Sequence, residues 1–204
     1  MTKPDPTSGL MAPVLAALRR NSGASSDYDL NPDVVLPAGR VLRPAGVLVP
    51  LIRRDAGLNV ILTKRSSALK HHPGQIAFPG GKQDEGDNDV TAAALRESHE
   101  EIGLLPENVA VLGLLPVHET VTGFAVTPVI GHVLAPFDQR PEPGEVDEIF
   151  EVPLVHLMGL ENYHVQSRLW RGQKRRYFTV PYGPYYIWGA TARILRGLAD
   201  RMIG

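Results

Sequence analysis

Three glutamates, Glu97, Glu100 and Glu101, follow Arg96 in the run Leu95-Arg-Glu-Ser-His-Glu-Glu-Ile-Gly-Leu104. Residues three and four apart on a helix lie on one face, so the three carboxylates would gather within a single turn. Asn88 or Asp89 can cap that helix, Gly103 suits the left-handed position after it, and Pro106 stops its continuation. The acids therefore fall at the C-terminal end, where the helix dipole is negative and cations stabilise by about 0.3–1 kcal/mol each. Three acids there repel one another and the dipole together. A divalent cation resolves the conflict, because hard ions such as Mg²⁺ take carboxylate oxygens and commonly act on substrate phosphates. The competing reading is a solvated charged face in which Arg96 and Glu100 form an i,i+4 pair.

These residues need a platform. Ala94, Ser98 and Ile102 make a small opposite face that can pack closely on a sheet, and His99 points away from both faces. Upstream, Gly46–Ile52 and Leu58–Thr63 read as strands around the turn-like Asp55-Ala56-Gly57. Pro50 marks the first as an edge or bulged strand. Downstream, Val109–Pro116, Val126–Leu134 and Val146–Val152 read as strands. Short helices are expected over Leu10–Arg20 and Leu154–Met158, a hairpin over Arg168–Val180 with Arg171-Gly172-Gln173-Lys174 in its turn, and a terminal helix over Trp188–Met202. Residues 1–9 read as a disordered lead-in and Asn21–Arg40 as an ordered loop. Trp188 is assigned to the core rather than to a dimer interface. The mixture gives a layered α/β domain, with a lead-in and short helix over 1–35 and one catalytic domain over 36–204.

Composition narrows the chemistry. The chain has 204 residues, 43% apolar and 21% charged, as globular domains do. With 21 basic and 22 acidic residues the net charge is −1, so no overall field recruits nucleic acid or a membrane. Phosphate recognition must be local. The absence of cysteine excludes disulfides, thiolate catalysis and Cys-ligated metals. The apolar run Leu10–Leu18 is too short to span a bilayer, and a cytoplasmic protein is the expectation.

The run Arg96-Glu97-x-x-Glu100-Glu101-x-Gly103-Leu104 resembles the Nudix box, Gly-x5-Glu-x7-Arg-Glu-U-x-Glu-Glu-x-Gly-U, with U a bulky aliphatic. Gly81 matches the first glycine and Asp87 stands where the pattern has glutamate. Eight residues rather than seven precede Arg96, and Ser98 occupies a U position. The adjoining segment Ile61–Gly81 is similar to the signature of the coenzyme A pyrophosphatase branch, roughly Leu-Leu-Thr-x-Arg-Ser-x3-Arg-x3-Gly-x3-Phe-Pro-Gly-Gly. Leu62, Thr63, Arg65, Ser66, Gly74, Phe78, Pro79, Gly80 and Gly81 match in spacing. Ile61 replaces a leucine, and Lys70 replaces an arginine, keeping the charge but losing the planar fork. Val121–Val129 and Ile187-Trp188-Gly189 resemble the same branch.

The resemblance implies a Nudix α/β/α sandwich with a mixed sheet and a catalytic loop-helix-loop. It further implies Mg²⁺- or Mn²⁺-dependent cleavage of the coenzyme A diphosphate to adenosine 3′,5′-bisphosphate and 4′-phosphopantetheine. The alternatives are NADH or ADP-ribose as substrate, or a ligand-binding regulatory module on the same scaffold. Glu97, Glu100 and Glu101 are then the metal ligands, and Arg96 holds a carboxylate in place. Nudix enzymes often carry a further acid after the box, and Glu145 is the candidate, with Glu142, Asp147 and Glu148 nearby. Arg65, Lys70 and Lys82 would meet substrate phosphates, Arg65 foremost, while Gly80 and Gly81 let backbone approach closely. His71, His72 and His118 are loop histidines that could serve catalysis or binding. The basic run Arg171–Arg176 reads as a solvated turn. The partner is a small molecule, not nucleic acid or membrane, and a homodimer is implied by analogy with the family alone.

Overall fold

Near-continuous apolar runs over Ala45–Ile52 and Leu58–Leu62 form two central strands that are buried on both faces and joined by a hairpin turn. The computed structural model describes residues 6–21, 23–170 and 172–204. In chain order the elements are α1 (Pro6–Arg19), β1 (Ser25–Ser26), β2 (Arg43–Arg54), β3 (Gly57–Arg65), β4 (Ile76–Ala77), β5 (Gly80–Lys82), α2 (Val90–Ile102), β6 (Val109–Leu114), β7 (His118–Glu119), β8 (Phe124–Val133), β9 (Val146–Pro153), α3 (Leu154–Met158), β10 (His164–Trp170), β11 (Gln173–Thr179) and α4 (Gly189–Ile203). Among the described residues, β1 to β9 form one mixed sheet, in which β2 runs parallel to β8 and antiparallel to β3 and β5. The pair β10–β11 is a separate two-stranded sheet.

Period-two alternation divides the apolar residues between the two faces of the sheet. Leu48, Ile52, Ile61, Val129 and Val133 pack beneath Ala94 and Ile102 of α2. Val49, Leu51, Val60, Leu62 and Ile130 face the other way, toward Val14 of α1, Leu157 of α3 and Leu195 and Leu198 of α4. The result is the expected α/β/α sandwich. Each such side chain, fully buried, contributes about 1.5–3 kcal/mol, so both layers hold the sheet firmly.

Several elements depart from the sequence expectation. Pro50 lies in the middle of the sheet, not at an edge. The amide of Leu48 donates to the Pro79 carbonyl on the β5 side, and alternation turns the ring nitrogen of Pro50 the same way. On that side β2 pairs with β5 through Val47 and with β3 only from Leu51 onward. The missing N–H thus falls where the neighbouring strand changes. Helix α1 starts at Pro6, so residues 6–9 of the expected lead-in are helical, and the first five lie outside the described residues. Strand β10 begins four residues before Arg168, while Arg171 of the expected turn also lies outside the described residues. Trp188 is half-buried against Tyr177 and Arg168 instead of in the core.

Candidate active site

Helix α2 carries the acids, and both its ends are closed by local chemistry. Asp89 caps the start, accepting from the Ala92 amide. At the other end Gly103 adopts φ 74°, and the amides of Gly103 and Leu104 donate to the carbonyls of His99 and Ser98. Two further carbonyls are met by the loop before β9, where Arg140 and Glu142 donate their amides to Ile102 and Glu101. The same loop delivers Glu145 to the helix. At Gly46 of β2 a side chain would collide with the Val90 carbonyl, which is how closely α2 lies on the sheet.

Arg96 is the hub. Its guanidinium takes Asp87 in a two-pronged grip, Nε to Oδ1 at 3.0 Å and Nη2 to Oδ2 at 2.9 Å. The other nitrogen donates to Glu97 at 3.0 Å and to Glu100 at 3.1 Å, and Nη2 also reaches the Lys82 carbonyl. Asp87 is pulled down to about 2, first by its bonds to Arg96 and then by the Asp84 amide. So the aspartate standing where the motif pattern has glutamate anchors the arginine that meets two acids. Sequence reading left its role open, because the contact spans a loop whose path local signals do not give.

The three glutamates divide. Glu101 is 5% exposed and accepts from the Gly80 amide at 3.0 Å. Burial pushes its carboxyl up to about 7, with Glu97 and Glu145 adding to the rise and the Gly80 amide and Arg65 opposing it. Glu97 is half-buried and also raised, by burial first and then by Glu100 and Glu145, against the pull of Arg96. Glu100 turns outward, its side chain 56% exposed. Glu97, Glu101 and Glu145 therefore feel one another's charge, with Glu100 at the margin. As the carboxylates stand, no three acid or histidine side chains among the described residues converge as metal ligands do.

Gly80 and Gly81 explain themselves sterically. Gly80 has φ 149°, and a side chain on it would strike the Gly46 carbonyl; one on Gly81 would strike the Glu97 carboxylate. They seat β5 against β2 and leave room for the acids. Arg65 ends β3, where the amide of Ser66 donates to the Glu145 carbonyl. Lys82 spends its ammonium on Asp84 at 3.0 Å, while Lys70 is exposed on the loop between β3 and β4.

The histidines sort clearly. His99 is exposed, as expected. His118 is no loop histidine: it is fully buried in β7, with Nδ1 on Ser25 Oγ at 2.9 Å and Nε2 on Asp27 at 3.2 Å. These bonds pin β1 to the sheet. His71 and His72 stay on the Ser66–Gln75 loop. His72 has φ 55°, and partial desolvation followed by the Arg65 charge holds its imidazole below the usual value, with a smaller push from Arg168. A cavity of about 430 Å³ opens beside α4 and β1, lined by Arg20, Ser25, Leu115 and Arg201 among others, and none of the α2 acids borders it. The acids form a shelf beside β5 that runs from buried Glu101 through half-buried Glu97 to exposed Glu100 and Glu145.

A NUDIX domain model matches residues 42–178, spanning β2 to β11 and all of α2. The chain belongs to the Nudix family. An uncharacterized Nudix hydrolase NudL from Enterobacter sp. (strain 638) is 42% identical over 183 residues, covering 84% of this chain and 95% of the relative. Its counterpart in Klebsiella pneumoniae (strain 342) is 41% identical over 185 residues, covering 85% and 96%. The NUDIX domain of Shewanella oneidensis NrtR, solved in complex with ADP ribose, superposes with TM-score 0.51 at 16% identity over 86% of this chain and 97% of that one, a likeness of fold. This Nudix chain is accordingly a hydrolase, a diphosphatase for nucleoside diphosphate derivatives. No helix among its described residues is long and apolar enough to cross a membrane.

Proposed function

We propose that the chain, through a domain spanning 36–204, hydrolyses the diphosphate of coenzyme A or its acyl derivatives, releasing adenosine 3′,5′-bisphosphate and (acyl-)4′-phosphopantetheine. The observation that carries this reading is the Ile61–Gly81 segment. It runs from β3 through β5 directly into the loop before α2, and its Arg65 acts electrostatically on Glu101. A coenzyme-A-like recognition segment and the carboxylate helix thus form one continuous unit.

Hard oxygen donors set close together, two of them with carboxyl pKa values raised by burial first and by one another's charge second, fit a divalent ion in their chemistry. Glu97 and Glu101 would hold Mg²⁺ or Mn²⁺, with Glu100 completing the set. When bound, the ion would neutralise charge on the diphosphate oxygens and lower the pKa of water. The protein's own groups do the rest. Arg65 binds the diphosphate, Lys70 and Lys82 add positive charge at its margins, and Gly80 and Gly81 keep the shelf free of side chains. Arg96, held by Asp87, orients Glu97 and Glu100. Glu145, exposed at the rim, accepts the proton of the attacking water.

Incubation of coenzyme A with protein and Mg²⁺ should yield 4′-phosphopantetheine by mass spectrometry. Faster turnover of NADH or ADP-ribose would overturn the substrate assignment. Binding of these ligands without any turnover would instead favour a regulatory module. Sedimentation at working concentration tests the homodimer suggested by the family analogy.

A further inference from the structure

The basic run Arg171–Arg176 is more than a solvated turn. Arg175 in β11 stands directly opposite Arg168 in β10. Directly opposed residues share one face of a hairpin, and like charges placed so are destabilising. Aromatic rings lie against both guanidiniums. Arg168 is 4.3 Å from the Trp188 ring and 6.0 Å from Tyr177, and Arg175 is 5.6 Å from Tyr28. The face is continuous. Tyr177 follows Arg175 by two residues, and Thr179, two further on, bridges to Trp188. Tyr186 is 47% exposed, with its hydroxyl 3.4 Å from that of Tyr177. The Asn31 amide clamps the arrangement by exchanging two hydrogen bonds with the Arg176 backbone, at 2.9 and 2.8 Å, which brings the Tyr28 loop to β11.

This face adjoins the diphosphate shelf. A Cβ on Gly189, next to Trp188, would lie 3.8 Å from the Gln75 side chain of the loop that starts at Arg65. Arg65 and Arg168 both depress the His72 imidazole. Two planar forks match the oxygens of a phosphate, and ring faces match a heterocyclic base. One ligand offers both together: a nucleotide.

We propose that this hairpin face is the subsite for the nucleotide half of the substrate. The base lies against Trp188, Tyr177 and Tyr186, and a ribose-borne phosphate lies between Arg168 and Arg175. The assignment rests on the coenzyme A reading and deepens it, because an extra ribose phosphate separates coenzyme A from NADH and ADP-ribose.

The test compares coenzyme A with its 3′-dephospho form in wild type, Arg168→Ala, Arg175→Lys and Tyr186→Ala. A lost hydrogen bond to a charged group is worth roughly 10–100-fold. Arg168→Ala should therefore lower kcat/KM for coenzyme A by about that factor, mainly through KM, with a clearly smaller loss for the dephospho form. Arg175→Lys, which keeps the charge and loses the fork, should fall between wild type and Arg168→Ala on coenzyme A. Tyr186→Ala should weaken both substrates alike. Equal losses on the two substrates in Arg168→Ala, or none on either, would overturn the phosphate assignment. Should wild type cleave neither compound, the coenzyme A reading fails, and calorimetric titration with adenosine 3′,5′-bisphosphate reads the subsite separately. Binding weakened about tenfold by Arg168→Ala supports it; absence of binding to wild type sinks it.

Discussion

The chain concentrates like charges in two places, and it treats them differently. At the end of α2, carboxylates are gathered on a rigid helix, buried in part, and steered by Arg96 and backbone amides. On the β10–β11 hairpin, arginines are gathered at the surface and held by ring faces and one asparagine clamp. The first arrangement raises two carboxyl pKa values, by burial first and like charge second, as the proposed cation site would before the cation arrives. The second leaves Arg168 exposed and Arg175 half-buried, both flanked by flat ring surfaces, as the proposed site for a larger, extended anion would require. Rigidity follows the demands of the chemistry.

The comparison can be broken most forcefully at the acid end. Glu97→Gln should lower kcat on the order of 10²–10³-fold, by removing transition-state stabilisation worth about 3–4 kcal/mol, with the circular dichroism spectrum unchanged. Retained activity would remove Glu97 from the site. Next in size, Asp87→Asn should release Arg96 and cost about 10–100-fold in activity, as loss of an orienting partner does. A charge-preserving Asp87→Glu should recover more of the rate than Asn. Gly46→Ala tests the seating of α2 on the sheet, and overpacking of this kind destabilises by about 1–3 kcal/mol in chemical denaturation.

The pH dependence is smaller and has a definite sign. Glu101 has a folded pKa of about 7, above its unfolded value. Without metal, the folded state therefore binds the extra proton in that interval. The contribution is present below the unfolded value and is lost as pH rises toward 7, so apo stability declines across the window. Divalent-ion binding should strengthen over the same range and release a proton. Glu101→Gln should flatten the apo stability profile, and an unchanged profile would remove Glu101 as its source. Smallest of all, Arg168→Ala should change folding stability by no more than about 0.5 kcal/mol, since its side chain is exposed. A larger change would mean that the hairpin arginine is structural, closing the contrast with α2.

Much of this was legible in the chain itself, wherever the signal was local. Asp89, Gly103 and Pro106 delimit the carboxylate helix, and the Ala94–Ser98–Ile102 face announces a close-packed sheet. The contacts that sequence reading missed join distant segments. Asp87 reaching Arg96 depends on the path of a loop, and His118 reaching Ser25 and Asp27 depends on a two-residue parallel pairing. Trp188 read as core because it is large and apolar, whereas the hairpin gives it one buried and one open side. Glu100 shares helical spacing with its neighbours, but Arg96 draws it outward.

Pro50 carries a consequence for slippage. A strand that changes neighbours halfway along invites its ladders to creep, since either neighbour could extend by one step across the junction. A residue without a donor blocks that extension from the β3 side. The β5 pairing is confined to Ala45–Val47, and with it the height at which the two glycines meet the helix carboxylates. An imino acid that first reads as a strand breaker thus acts as the register pin of the Gly80–Gly81 strand.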